Sequence, residues 1–398
     1  MSFPRSAYLH IPFCRRRCFY CDFPVAVVGD KPPLGMGDRV NGSNSGTIAR
    51  YVEMLCREIQ QEPGSGQPLE TVFFGGGTPS LLSVEQVERI LAGLERQFGI
   101  APGAELSMEI DPATFDRAQV AGYKAAGINR VSLGVQAFQA QLLQGAGRSH
   151  TVADIEAAIA LVHQVGFTNI SLDLISGLPH QTLADWVESL ERAIALEPTH
   201  LSCYDLIVEA GTPFSRQYQP GCQPLPSDEL TAEMYRTAHH LLTAHGFDHY
   251  EISNYAKPGY QCRHNRTYWE NRPFYGFGMG ATSCVSGDRV ARPRKTWEYY
   301  AWVEALEHQP RLSPTPCAPD LLETLMLGLR LAEGVDLTLL TQTFGAAAIA
   351  TVLACLQPYI DQQWVMPPAP SNHRLRLAAP DGFLFSNTIL TALFHALD

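Results

Sequence analysis

Cys14, Cys18 and Cys21 stand as C-x3-C-x2-C inside the run Ala7-Tyr-Leu-His-Ile-Pro-Phe-Cys14-Arg-Arg-Arg-Cys18-Phe-Tyr-Cys21-Asp-Phe23. Three thiolates at that spacing can serve one small cluster and supply no fourth ligand. A cubane of four irons takes four outer ligands, so three protein sulfurs leave one iron open to an outside molecule. The competing chemistry is a partial zinc site that His10 could complete, but structural zinc sites usually take four protein ligands, often as two separated pairs. Thiols packed this closely and left without a metal would oxidise readily.

Further chemistry-bearing residues recur along the first half of the chain. Phe74-Gly75-Gly76-Gly77-Thr78-Pro79-Ser80 follows an apolar run, and glycines let backbone amides and carbonyls approach a ligand's amino group closely. Glu109 and Asp111, then Gln136, then Asp173 close successive β-rich runs. Polar side chains at strand ends can meet at one mouth, where they hydrogen-bond a ribose and an amino-acid head group. Arg148, in Gly145-Ala-Gly-Arg148-Ser-His150, can grip a carboxylate through its planar fork. Taken singly, each of these is equally a helix cap, a solvated charge or a tight turn; their recurrence at successive strand ends is the signal.

The elements that must position them are short β-rich runs at 7–11, 71–74, 106–110, 130–135, 169–174 and 200–206. They alternate with helix-periodic segments near 47–61, 84–98, 116–126, 151–165 and 183–196. Such alternation predicts an α/β fold with a parallel sheet. A partial (β/α)6 barrel fits better than a flat sheet, because the polar and glycine signals all fall just after strand ends. Residues 29–46 are too rich in Gly, Pro, Ser and Asn to order themselves and are expected as a flexible loop beside the cysteines. Past about 210 the alternation stops. The predicted division is therefore 1–210 for the barrel and 211–398 for a smaller C-terminal α/β or mainly helical domain, with helices near 228–245, 296–307 and 319–332 and a closing strand and helix within 374–397.

The chain of 398 residues carries a net charge of −11, which argues against a general nucleic-acid binder, since phosphate contacts need a basic surface. No apolar run is long enough to predict a transmembrane segment, and the N-terminus lacks the succession of a secretory signal. Contact with a membrane surface as a peripheral protein stays open. The other cysteines are scattered without paired spacing, which predicts a reducing, cytoplasmic setting.

Tyr8-x-His10-Ile-Pro-Phe-Cys14, Gly75-Gly-Gly-Thr-Pro79, Gly134-Val-Gln-Ala-Phe138, Arg148-x-His150 and Asp173-Leu-Ile-Ser-Gly-Leu-Pro179, in that order, resemble the HemN/HemW branch of the radical S-adenosylmethionine (SAM) superfamily. The resemblance implies a [4Fe-4S] cluster on Cys14, Cys18 and Cys21 whose open iron takes SAM. It implies that Tyr8, Gly76, Glu109 and Arg148 surround a first SAM, and that Tyr20, Gly77, Thr78, Gln136 and Asp173 form a second SAM pocket. It also implies an electron donor of flavodoxin or ferredoxin type.

Two features separate the members of that branch. The oxygen-independent coproporphyrinogen III dehydrogenases carry a fourth cysteine where Phe23 stands, which puts dehydrogenase activity in doubt. His264-Asn-Arg-Thr-Tyr268-Trp269 resembles the H-N-x-x-Y-W motif of haem chaperones, which implies haem, with His264 as a candidate ligand, and haem-accepting apoproteins as partners. Histidine ligates haem iron, and Tyr and Trp can lie against a porphyrin face. The same residues also suit ordinary packing, and the nearby Gly276-Phe-Gly-Met-Gly280 could be a flexible loop lining the same pocket or a place where two backbones pack closely. The expected function is a haem chaperone; the alternative is coproporphyrinogen oxidation in porphyrin synthesis.

Overall fold

The six apolar runs form, in chain order, β1 (Ser6–Ile11), β2 (Leu69–Gly76), β3 (Ile100–Ile110), β4 (Arg130–Gln136), β5 (Asn169–Ser176) and β6 (His200–Asp205). The structure, a computed structural model, describes residues 3–29, 46–285, 287–306, 320–368 and 372–397. The loop expected over 29–46 therefore lies almost wholly outside the described residues.

Each strand pairs in parallel with the next. Parallel neighbours need a crossover, and Gly46–Gln61, Val84–Phe98, Arg117–Ala125, Val152–Val165 and Leu183–Ala195 supply a helix to each. Ser83, Thr151 and Thr182 open three of these helices with capping boxes, which satisfy otherwise orphaned amides at each start.

The sheet bends. Residues just after β1 and residues closing β6 line one cleft, although flat strands spaced about 4.8 Å apart would separate them by roughly 24 Å. The expected partial barrel is what the chain builds.

Three short strands extend the sheet. β7 (Asp248–His249) and β8 (Asn254–Ala256) run antiparallel beyond β6, and β9 (Tyr275–Phe277) runs parallel beside β1. The barrel's core accordingly takes in Leu242, Phe247, Tyr255, Phe277 and Val303 from beyond residue 210. Strands this short leave no alternation for the sequence to display. A separate apolar core gathers between Leu325 and Leu393. There Leu321–Gly328, Ala346–Asp361 and Ser386–Leu397 pack with an antiparallel ribbon of Val335–Asp336, Arg374–Leu377 and Val365–Met366.

The glycine-rich stretch after β9 is close-packed, not a flexible pocket lining. A Cβ on Gly278 would lie 2.5 Å from the Tyr51 hydroxyl and 2.6 Å from the His10 carbonyl oxygen. Beside it the fully buried Glu58 accepts hydrogen bonds from Gly278 N (2.8 Å), the Tyr299 hydroxyl (2.7 Å) and Arg292 Nε (2.8 Å). Removing one partner of such a pair strands the other charge, at a cost of about 3–5 kcal/mol. Glu58→Ala is expected to lower stability by that order, read as a reduced midpoint of urea unfolding; an unchanged midpoint would show that Arg292 is neutralised by another route.

Candidate functional site

The three cysteines sit on the loop that leaves β1, and backbone bonds fasten that loop to the barrel rim. Phe19 N donates to Ala146 O (3.0 Å), and Phe214 N donates to Phe19 O (3.0 Å). The Gly75–Gly77 turn passes directly behind: a Cβ on Gly77 would lie 2.7 Å from Phe13 O and 3.0 Å from Cys14 Sγ, so only glycine lets turn and loop nest. Gly76 has φ +112°, a conformation closed to most side chains. Thr78 donates its hydroxyl to Cys14 Sγ (3.7 Å). Burial pushes the Cys14 thiol up to about 12 and the Cys21 thiol upward. Both thiols therefore stay protonated at neutral pH until a metal displaces the proton.

A cleft of about 380 Å³ opens at the C-terminal ends of the strands. Cys14, Cys18 and Cys21 line one side, with Tyr20, Gly76, Gly77 and Thr78; Glu109, Gln136, Arg148 and Asp173 line the rest. Arg148 joins the two sides. Its Nη2 donates to Asp111 Oδ2 (2.5 Å) and Gly134 O (2.9 Å), and its Nη1 donates to Cys18 Sγ (3.3 Å) and reaches the Tyr20 hydroxyl (3.5 Å). His150 Nδ1 holds the other Asp111 oxygen at 3.2 Å. Burial would raise the Asp111 carboxyl, but Arg148 and His150 hold it below its ordinary value. Gln136 has φ +70° at a register shift between β4 and β5. Such bulges re-aim a side chain at the end of a strand.

Glu109 and Asp173 are recessed at the floor of the cleft. Burial, and then the charge of Asp173, raise Glu109 to about 7, against the Gly76 amide that donates to it at 3.0 Å. Burial raises Asp173 too, against the Ser202 and Ser132 hydroxyls; Ser132 Oγ lies 3.0 Å and 3.1 Å from its two oxygens.

Two predicted residues lie elsewhere. Tyr8 backs the glycine turn, where a Cβ on Gly75 would lie 2.9 Å from its ring, and its hydroxyl meets His10 Nδ1 at 3.1 Å. His264 is 1% exposed, with Nδ1 on the Thr71 hydroxyl (2.7 Å) and Nε2 on the Tyr268 hydroxyl (2.8 Å). Its ring stacks on Phe73 with centroids 5.2 Å apart. Buried and with both nitrogens engaged, His264 packs the base of the barrel, away from the cleft. The sequence reading missed Asp205, which closes β6, lines the cleft and is raised by burial to about 6. The strand-end rule that found Asp173 would have found it as well.

A parallel barrel with three thiols on the β1 loop defines a radical SAM protein, and the Radical SAM superfamily model matches residues 8–193. The HemN C-terminal domain model matches residues 320–377. The chain is 47% identical to the "Heme chaperone HemW" of Synechocystis sp. over 99% of its own length and 97% of that protein. It is 36% identical to the protein of the same name from Bacillus subtilis over 86% and 87% of the two chains. The chain belongs to the HemW family. Among solved structures, coproporphyrinogen III oxidase (HemN) from Escherichia coli, a radical SAM enzyme, shares the fold with a TM-score of 0.78 at 22% identity, covering 98% of this chain and 90% of that one.

The family implies a [4Fe-4S] cluster and SAM, and the residues present fit them. Arg148, which lines the cleft, has its Nε buried with no hydrogen-bond partner among the described residues. Among the described residues no three His, Cys, Asp or Glu side chains converge on a point that would hold one metal ion.

The Glu109 shift has a sign that can be checked. The unfolded carboxyl titrates near its ordinary 4.5 and the folded one near 7, so the folded state holds the extra proton between those values. Stability is lost as pH rises through that window, and the loss is complete above it. Glu109→Gln in SAM-free protein is therefore expected to raise the thermal midpoint at pH 8 and to change it little at pH 4.5; equal effects at both pH values would contradict the assignment.

Proposed function

We propose that this chain binds haem and passes it to apoproteins, with a [4Fe-4S] cluster and SAM held in the barrel's cleft. The observation that carries this reading is the end-to-end match to a relative named as a heme chaperone. Phe23 at the position of the dehydrogenases' fourth cysteine supports it. The likeness to coproporphyrinogen III oxidase, at 22% identity, speaks for the fold alone.

In this reading Cys14, Cys18 and Cys21 hold the cluster, which with SAM supplies one-electron chemistry when bound. Arg148 keeps Nη2 on Asp111 and offers its open Nε to the SAM carboxylate. Gly76, Gly77 and Thr78 present backbone to the amino group, while Tyr8 backs the turn. Glu109, Gln136 and Asp173 offer acceptors to ribose hydroxyls, and Tyr20 covers the guanidinium. Splitting these residues between two SAM molecules is a finer proposal: Tyr8, Gly76, Glu109 and Arg148 for the first, Tyr20, Gly77, Thr78, Gln136 and Asp173 for the second.

The partners required are haem, a haem-accepting apoprotein and a flavodoxin- or ferredoxin-type electron donor. We place the protein in the cytoplasm, where reducing conditions protect a thiolate-held cluster. No helix among the described residues is long and apolar enough to cross a membrane.

Anaerobic protein supplied with coproporphyrinogen III, SAM and a reductant is expected to form no protoporphyrinogen, whereas haem-loaded protein transfers haem to an apo-acceptor. Steady oxidation of coproporphyrinogen III would overturn the reading in favour of the dehydrogenase. Cys18→Ala is expected to abolish the cluster's absorbance; unchanged iron content would remove Cys18 from the ligand set.

A further inference from the structure

The loop that carries the three cysteines is basic, on a chain whose net charge is −11. Arg15, Arg16 and Arg17 fill the whole interval between Cys14 and Cys18, and Arg16 and Arg17 are exposed. A fourth guanidinium comes from far along the chain: Arg294, also exposed, donates from Nη2 to Asp22 O at 3.0 Å. Arg17 donates from Nε to Cys21 O (3.1 Å) and from Nη2 to Phe23 O (3.0 Å), and Arg15 donates from Nη1 to Ala113 O (2.8 Å). Each of these acceptors is a neutral carbonyl. The bonds therefore fix the shape of the loop without cancelling its charge, and Asp22 supplies the one carboxylate between Cys14 and Phe23.

Apolar side chains share this face. Phe23 is 55% exposed and Val27 is 58% exposed. Val27 pairs with Cys14 in a two-residue parallel ribbon, so it stands beside one of the three thiols. Apolar side chains held in water next to arginines match the make-up of protein interfaces, which are enriched in aromatic residues and Arg.

The charge selects the sign of the partner, since a basic patch draws an acidic protein and speeds its approach. The place selects among acidic partners. All four guanidiniums surround the loop that would hold the cluster, where a partner can hand over an electron across a short distance. A bilayer surface has no electron to give. The exposed Phe23 ring, two residues past Cys21, favours a flavin carrier, whose ring edge is itself flat and apolar.

We propose that this face of the cysteine loop, with Arg294, Phe23 and Val27, is the docking surface for an acidic one-electron carrier of flavodoxin type. The proposal rests on the electron-donor reading above and adds the surface. In the docked pair one electron leaves the donor's reduced flavin, which is oxidised, and enters the cluster, which is reduced; no bond forms and no proton moves.

Dye-labelled oxidised flavodoxin is titrated with anaerobic wild type and with the double variant Arg294→Glu/Val27→Glu. Binding is followed by fluorescence anisotropy at several ionic strengths, with the cluster's absorbance as the check that each protein is folded. Wild type is expected to bind more weakly as salt rises, and the variant at least roughly tenfold more weakly than wild type at low salt. Cluster reduction by reduced flavodoxin slows in the variant to the same degree, while photoreduced deazaflavin, a small reductant that needs no docking surface, reduces both alike. Wild-type affinity and salt dependence in the variant would overturn the surface and leave the donor reading intact. A wild type that deazaflavin reduces, but that flavodoxin neither binds nor reduces, would overturn the donor reading and the surface with it. Loss in the variant of binding to phosphatidylglycerol vesicles, with flavodoxin binding unchanged, would give the patch to a membrane instead.

Discussion

A guanidinium held between a carboxylate and a thiol ties the site together. Arg148 reaches Asp111 after β3, the Gly134 carbonyl on β4 and the Cys18 sulfur on the loop after β1. Those three anchors come from distant parts of the sequence and meet only because the sheet curls. Inside such a recess the interactions are stronger than in water. Lysine could not replace it, since a point charge lacks the rigid fork that makes these contacts at once.

The remainder of the mouth stores strain and unfavourable charge. Gln136 sits at positive φ, and Glu109 and Asp173 are both raised by burial. The barrel's large apolar core sustains these costs. Strain and perturbed carboxylates gathered at one concave spot mark a place built for a ligand.

Much of this was legible in the residues. Short β-rich runs alternating with helix-periodic segments announced β1 to β6, and polar residues at their ends announced the cleft, because a parallel barrel sends every strand end to the same face. The strands after residue 210 were not legible, since two or three residues carry no period. Nor was the burial of His264, which follows from Thr71, 193 positions away in sequence, and from Glu105 at the N-terminus of the helix Arg263–Trp269. That carboxylate receives the amides of Arg263 and His264 at 3.0 Å each, so the His264–Trp269 motif pins a helix under the barrel. The motif names residues that travel together, and only the fold shows which way each ring faces.

The central claim is an iron–sulfur cluster whose open iron accepts SAM. Electron paramagnetic resonance of anaerobically reconstituted, reduced protein, recorded with and without SAM, tests it most directly. The account predicts a [4Fe-4S] signal whose g-values move when SAM is added; a spectrum indifferent to SAM, or a preparation without labile sulfide, would contradict it.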